Sequence, residues 1–86
     1  MIVKFTAAGS REFGYWEATD ARVVNKIVAL IASIKESPFS GLGKPEPLKG
    51  NFSGWWSRRI TSEHRLVYRV SSGLIEIAQC RYHYSK

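Results

Sequence analysis

Two periodicities divide the chain. From residue 20 to 36, Val23, Val24, Ile27, Leu30, Ile31 and Ile34 recur at the three- and four-residue spacing of one helical face, while Arg22, Asn25, Lys26, Ser33 and Lys35 take the other. The spacing predicts an amphipathic core helix, opened by Thr19-Asp20 as a cap and ended by Ser37-Pro38. Ahead of it, residues 1–5 form a short β-type run, and Thr6 is placed to cap a helix over roughly the next ten residues. That first helix is weak, because Gly9 and Gly14 each cost about 1 kcal/mol relative to alanine. Its stability has to come from docking Phe13 and Trp16 on a sheet.

Beyond residue 54 the period shortens to two. Strands are expected over 55–60, 64–70 and 74–80, with Ser71-Ser72-Gly73 as a tight turn, which makes an antiparallel meander. Arg59, Arg65, Val67 and Arg69 are odd-numbered, whereas Ile60, Leu66, Tyr68 and Val70 are even, so alternation separates a cationic face from an apolar one. The turn Thr61-Ser62-Glu63 can invert parity, which leaves open whether Arg59 joins Arg65. Residues 39–54 are rich in glycine and proline and read as a long loop of the kind that often carries function. The order β-α-α-β-β-β implies an α+β fold: an antiparallel sheet with two N-terminal helices packed on one face, the other face open and holding the arginines. No repeat, low-complexity tract or linker interrupts residues 1–86, which read as a single domain.

Charge sharpens this picture. The formal net charge is +6, and residues 44–86 carry eight Lys/Arg against three Asp/Glu, whereas residues 1–43 carry five against four. A basic second half suits nucleic acid, an acidic protein partner or an anionic membrane, and the last is least supported because no basic amphipathic helix stands out. The lone Cys80 allows no intrachain disulfide and fits a reducing compartment and a packing role. With neither a leader pattern nor a membrane-length apolar run, a cytoplasmic location is expected.

Three residues on the open side have complementary chemistry: Glu46 between Pro45 and Pro47, Arg65 in the hairpin, and His83 after the last strand. Attack of a ribose 2′-OH on the adjacent phosphate needs a base for that proton, an acid for the departing 5′-oxygen, and positive charge on the phosphorane. An ordinary carboxylate titrates at about 4.3 and an imidazole at about 6.5, so at neutral pH the carboxylate is the better-populated base, and the imidazole suits the acid once an anionic substrate raises its pKa. Spacing alone does not bring the three together, and a solvated charge is the commoner reading of Glu46 or Arg65. His64, at a turn and on the even parity, reads as a structural hydrogen-bonding residue. Trp55 and Trp56 divide one per face, Lys44, Lys49 and Arg58 read as solubilising charges, and Tyr82 and Tyr84 flank His83 where base stacking is possible. Two distant histidines and one cysteine give no metal-ligand spacing, no phosphate-binding loop or dinucleotide fingerprint is present, and no cofactor is expected.

Gly43-Lys-Pro-Glu-Pro-Leu-Lys49, Ser53-Gly-Trp-Trp-Ser-Arg-Arg-Ile-Thr-Ser-Glu-His-Arg-Leu-Val-Tyr68 and Cys80-Arg-Tyr-His-Tyr84 closely resemble the YoeB/Txe family of bacterial toxins in the RelE superfamily. The match is nearly chain-wide and weakest over residues 2–14. The resemblance implies a microbial RNase-like fold and a ribosome-dependent endoribonuclease that enters the A site of the 70S ribosome and cuts the mRNA codon there. It implies a cognate antitoxin that wraps the toxin and alone contacts operator DNA, and toxins of this kind are often homodimers. Carried over, the family's general base matches Glu46, its phosphate-binding arginine Arg65 and its general acid His83. Tyr84 matches the residue that contacts the substrate base, and Lys49 and Arg59 match further basic residues that hold the scissile phosphate. The products would be a 2′,3′-cyclic phosphate and a 5′-hydroxyl, without a metal. Two features depart from the family pattern, the added Ser85-Lys86 and the glycine-bearing first helix. A ParE-like toxin that blocks DNA gyrase and a non-catalytic RNA- or protein-binding module are the alternatives.

Overall fold

A computed structural model describes residues 1–83. Strand β1 (Ile2–Phe5) is followed by helices α1 (Ala7–Thr19) and α2 (Ala21–Glu36), then by strands β2 (Glu46–Pro47), β3 (Trp56–Arg59), β4 (Arg65–Ser71) and β5 (Leu74–Gln79). The sheet runs β1-β5-β4-β3-β2. Both helices lie on one face, where Trp16, Val23, Ile27, Leu30 and Ile34 meet Ile60, Leu66, Tyr68, Ile75 and Ile77 in one buried cluster. The expected α+β class is therefore present, with two differences.

First, β1 joins β5 in parallel, Ile2 opposite Leu74 and Phe5 opposite Ile77, so the sheet is mixed rather than wholly antiparallel. A short apolar run specifies an extended segment but not its neighbour or direction, which here come from the docking of α1 beside β5. Second, the loop expected over 39–54 contributes the two-residue edge strand β2, opposite β3, and a single 3₁₀ turn at Gly50–Phe52. Glu46 thus sits on a strand rather than on a free loop.

Local chemistry accounts for the elements. The Thr6 hydroxyl accepts the Gly9 N–H (3.1 Å) and donates to the Ala78 carbonyl (3.1 Å), so one side chain caps α1 and ties it to β5. Asp20 caps α2 by accepting the Arg22 N–H (3.0 Å). Gly9 has a packing reason, since a Cβ there would stand 2.7 Å from the Ile77 carbonyl oxygen. The β4–β5 turn has Ser72 at φ 48° and Gly73 at φ 76°, the two positive values that a type I′ hairpin needs. Beyond it the register slips: Tyr68 opposes Ile77 and Val67 opposes Gln79, leaving Ala78 as the extra residue of a bulge. Among the described residues, no helix is long and apolar enough to cross a membrane.

Candidate active site

Strand pairing assembles the site from separate segments. Arg59 lies directly opposite Arg65 across β3 and β4, which settles the parity left open by the sequence and puts both guanidiniums on one face. Glu46 lies opposite Ser57, two residues before Arg59 on the same strand, and so shares that face. The segment leading to Glu46 is held along the sheet by the Arg59 N–H, which donates to the Gly43 carbonyl (2.7 Å). Gly43 has φ +85°, and a Cβ on it would stand 2.7 Å from Leu30 Cδ2. Lys44 follows at φ 54°, a left-handed conformation unusual for a side chain of this size, at the rim of the site.

The segment after β5 brings in the imidazole. The Cys80 carbonyl accepts the Trp16 indole N–H (2.9 Å), and the Cys80 N–H donates to the Glu12 carboxylate (2.7 Å). The Tyr82 carbonyl accepts the Arg65 N–H (3.0 Å), and Gln79 Nε2 donates to the His83 carbonyl (3.2 Å). The chain is thereby turned back across β4, and His83 lines a pocket of about 230 Å³ with Lys44, Pro45, Glu46, Ser57, Arg59 and Arg65. Arg65 is steadied by its own hairpin, Nη1 donating to the carbonyls of Thr61 (2.9 Å), Ser62 (3.2 Å) and His64 (3.2 Å).

Four of the six residues singled out from the sequence, Glu46, Arg59, Arg65 and His83, therefore meet at one pocket. Lys49 lines an adjoining hollow of about 790 Å³ with residues 47–52, and Glu46 borders both. Tyr84 lies outside the described residues. Ser57 and Lys44 are additional lining residues. Ser57 is legible as sharing the strand face of Arg59, whereas nothing in the pattern marks Lys44 as more than a solubilising charge.

Neighbouring residues separate structural from chemical roles. His64 does have the structural part expected of it: its Nδ1 accepts the Tyr82 N–H (2.7 Å) and its ring meets Trp16 edge-on (4.8 Å). Trp56 packs against the core, while Trp55 lies under the Arg69 guanidinium (4.3 Å). Arg58 overturns its reading as a solubilising charge. It is fully buried, and its five N–H groups reach Tyr68 Oη (3.0 Å), Ser33 Oγ (2.8 Å) and the carbonyls of Leu42 (2.9 Å), Ser37 (2.7 Å) and Ser40 (2.8 Å). Cys80 is buried, and burial, with Glu12 beside it, pushes its thiol up to about 12, which makes it no nucleophile.

Lys44, Arg59 and Arg65 line the same pocket as a carboxylate and an imidazole, so an anion held there has a candidate base and a candidate acid in the same lining. Among the described residues, no group of three His, Cys, Asp or Glu side chains is placed to hold a metal ion.

Comparison with known proteins gives this geometry a context. The family model described as YoeB-like toxin of bacterial type II toxin-antitoxin system matches residues 5–84. The Toxin YoeB of Escherichia coli K12 is 59% identical over 73 residues, covering 85% of this chain and 87% of that one. A YoeB/ParE toxin from Agrobacterium tumefaciens superposes with a TM-score of 0.95 at 56% identity, over 98% of this chain and 100% of that one. The YoeB of Staphylococcus aureus, solved as a dimer, superposes with a TM-score of 0.92 at 42% identity over 98% of each chain. It has also been solved as a heterotetrameric YoeB-YefM toxin-antitoxin complex, with a TM-score of 0.91 at 42% identity over 98% of each chain.

Proposed function

The chain belongs to the YoeB-like toxins of bacterial type II toxin-antitoxin systems, and from that premise we propose that residues 1–86 form a single ribosome-dependent endoribonuclease domain that cuts the mRNA codon in the A site. The supporting observation is the convergence of Glu46, Arg59, Arg65 and His83, from three strands and the segment after β5, on one pocket.

In this mechanism the Glu46 carboxylate takes the proton of the ribose 2′-OH as its oxygen attacks the adjacent phosphorus. Arg65 and Arg59 hold the non-bridging oxygens and stabilise the charge that builds on the phosphorane. Lys49 extends the cationic lining along the strand of RNA in the adjoining hollow. The His83 imidazolium gives its proton to the departing 5′-oxygen, and Tyr84 contacts the base. One P–O bond forms and one breaks, leaving a 2′,3′-cyclic phosphate and a 5′-hydroxyl. Base, acid and charge compensation all come from side chains, so the mechanism needs no metal. DNA, lacking the 2′-hydroxyl, is not a substrate.

The S. aureus relative, solved both as a dimer and with an antitoxin, supports a homodimer and a cognate antitoxin as partners here. Contact with operator DNA runs through that antitoxin, and the toxin acts on ribosomes in the cytoplasm.

The test is to map new RNA ends after incubating the purified protein with naked mRNA and with ribosomes programmed with a known A-site codon, EDTA being added to the naked-mRNA arm. Cutting confined to the A-site codon is expected, and abolished in Glu46→Gln and His83→Gln while folding and antitoxin binding persist. Full cutting by both variants would refute the assignment of base and acid. No cutting in either arm, from folded protein, would refute the nuclease reading.

A further inference from the structure

We propose that His64 is a positioning residue for the general acid: by accepting the Tyr82 N–H it fixes the backbone that presents His83 to the pocket. The inference rests on the reading of His83 as the acid.

His64, just before β4, and Arg65, its first residue, hold both backbone polar groups of the residue that precedes His83. His64 Nδ1 accepts the Tyr82 N–H (2.7 Å), and the Arg65 N–H donates to the Tyr82 carbonyl (3.0 Å). Such a grip is needed because Tyr82 has φ 63°, a left-handed conformation that a residue bearing a Cβ keeps only where its surroundings impose it. The chain on either side is anchored as well. The Arg81 guanidinium lies 3.6 Å from the Tyr15 ring centre and 4.6 Å from that of Tyr82, and Gln79 Nε2 holds the His83 carbonyl.

His64 is suited to this role and to no direct one. Its ring is pinned edge-on by Trp16, its side chain is only 13% exposed, and it is not among the residues that line the pocket. An Nδ1 that accepts must be unprotonated, which places the ring proton on Nε2, 3.9 Å from the Glu63 carboxylate. The imidazole therefore spends its lone pair on the backbone, and its influence on cleavage passes through the placement of His83.

Asparagine and leucine separate this role from space-filling. His64→Asn puts Oδ1 where Nδ1 stands, His64→Leu keeps the branched shape of asparagine without an acceptor, and both discard the ring. On programmed ribosomes, H64N is expected to cut within about threefold of the unaltered protein, and H64L to lose about 10- to 100-fold in kcat at unchanged KM. H64Q, whose acceptor falls at the Nε2 position, should fall as H64L does and replaces it if H64L does not fold. In the unaltered protein, nuclear magnetic resonance should detect scalar coupling between the Tyr82 amide nitrogen and His64 Nδ1. Equal retention or equal loss in the folded variants, or absence of that coupling, overturns the inference. H83Q distinguishes the two levels. If H83Q is silent while H64N and H64L behave alike, the positioning role alone falls; if H83Q cuts at full rate, the acid assignment falls and the role of His64 with it.

Discussion

Five N–H donors on one buried side chain shape the loop that carries the rim of the pocket. Arg58 spends one on Tyr68 Oη and four on neutral oxygens from the last turn of α2 to Leu42, just before the Gly43-Lys44 approach to Glu46. Removing the guanidinium orphans three carbonyls at once. Arg58→Met is therefore expected to cost about 3–5 kcal/mol in urea unfolding. Arg58→Lys should lose nearly as much, since an ammonium keeps the charge but cannot reproduce the planar fork. A loss below about 1 kcal/mol in both would show that the loop closes without it. The position carried a signal, for Arg58 shares the even parity of Ile60, and the segment that follows α2 is rich in residues whose carbonyls find no partner in regular structure. Reading the guanidinium as a donor to those carbonyls, rather than as a surface charge, needed the fold. Glu46, Arg65 and His83 could be picked out by their chemistry, but their meeting could not, because no spacing rule predicts that residues 46, 65 and 83 come together; the pairing of β2, β3 and β4 and the turn after β5 do that.

Among the elements, the two glycines of α1 look alike in the sequence and differ in space. Gly9 faces the Ile77 carbonyl at a distance no Cβ tolerates, whereas nothing lies within 4 Å of where a Gly14 Cβ would be. Gly14→Ala should stabilise the protein by about 0.5–1 kcal/mol, and Gly9→Ala should destabilise it by more than that, as read by thermal unfolding of the two variants side by side. Opposite signs are the expected result; two gains would mean that α1 stands off β5. α2 was legible in detail because its six apolar positions obey one period and both ends carry caps. The meander was legible because alternation recurs and a Gly-bearing turn joins its last two strands. The parallel docking of β1 was not, since a four-residue apolar strand has no period long enough to encode its partner, and β2, two residues long, has no pattern at all.

At the scale of the molecule, the core lies on the helical face and the cationic lining on the other, so stability and chemistry draw on largely different residues. Cys80 links the core to pH. Its thiol holds its proton to about 12 in the folded protein against an ordinary value of 9.0, so the folded chain binds more protons between those values. The contribution is complete below about pH 9 and is lost as pH rises through that interval, on the order of 2 kcal/mol by pH 10.5. Urea unfolding at pH 8 and 10.5 should show a shallower decline in Cys80→Ala than in the unaltered protein, and equal declines would remove the thiol from the account. The parallel pairing of β1 with β5 also sets an order of events during synthesis. Ile2 cannot find Leu74 until more than seventy further residues have been made, an interval of several seconds at about 5–20 residues per second. Through that interval the nascent chain has neither its closing strand nor, still further along, the histidine of its pocket. The pocket proposed to act on the ribosome is thus the last part of residues 1–83 to become complete.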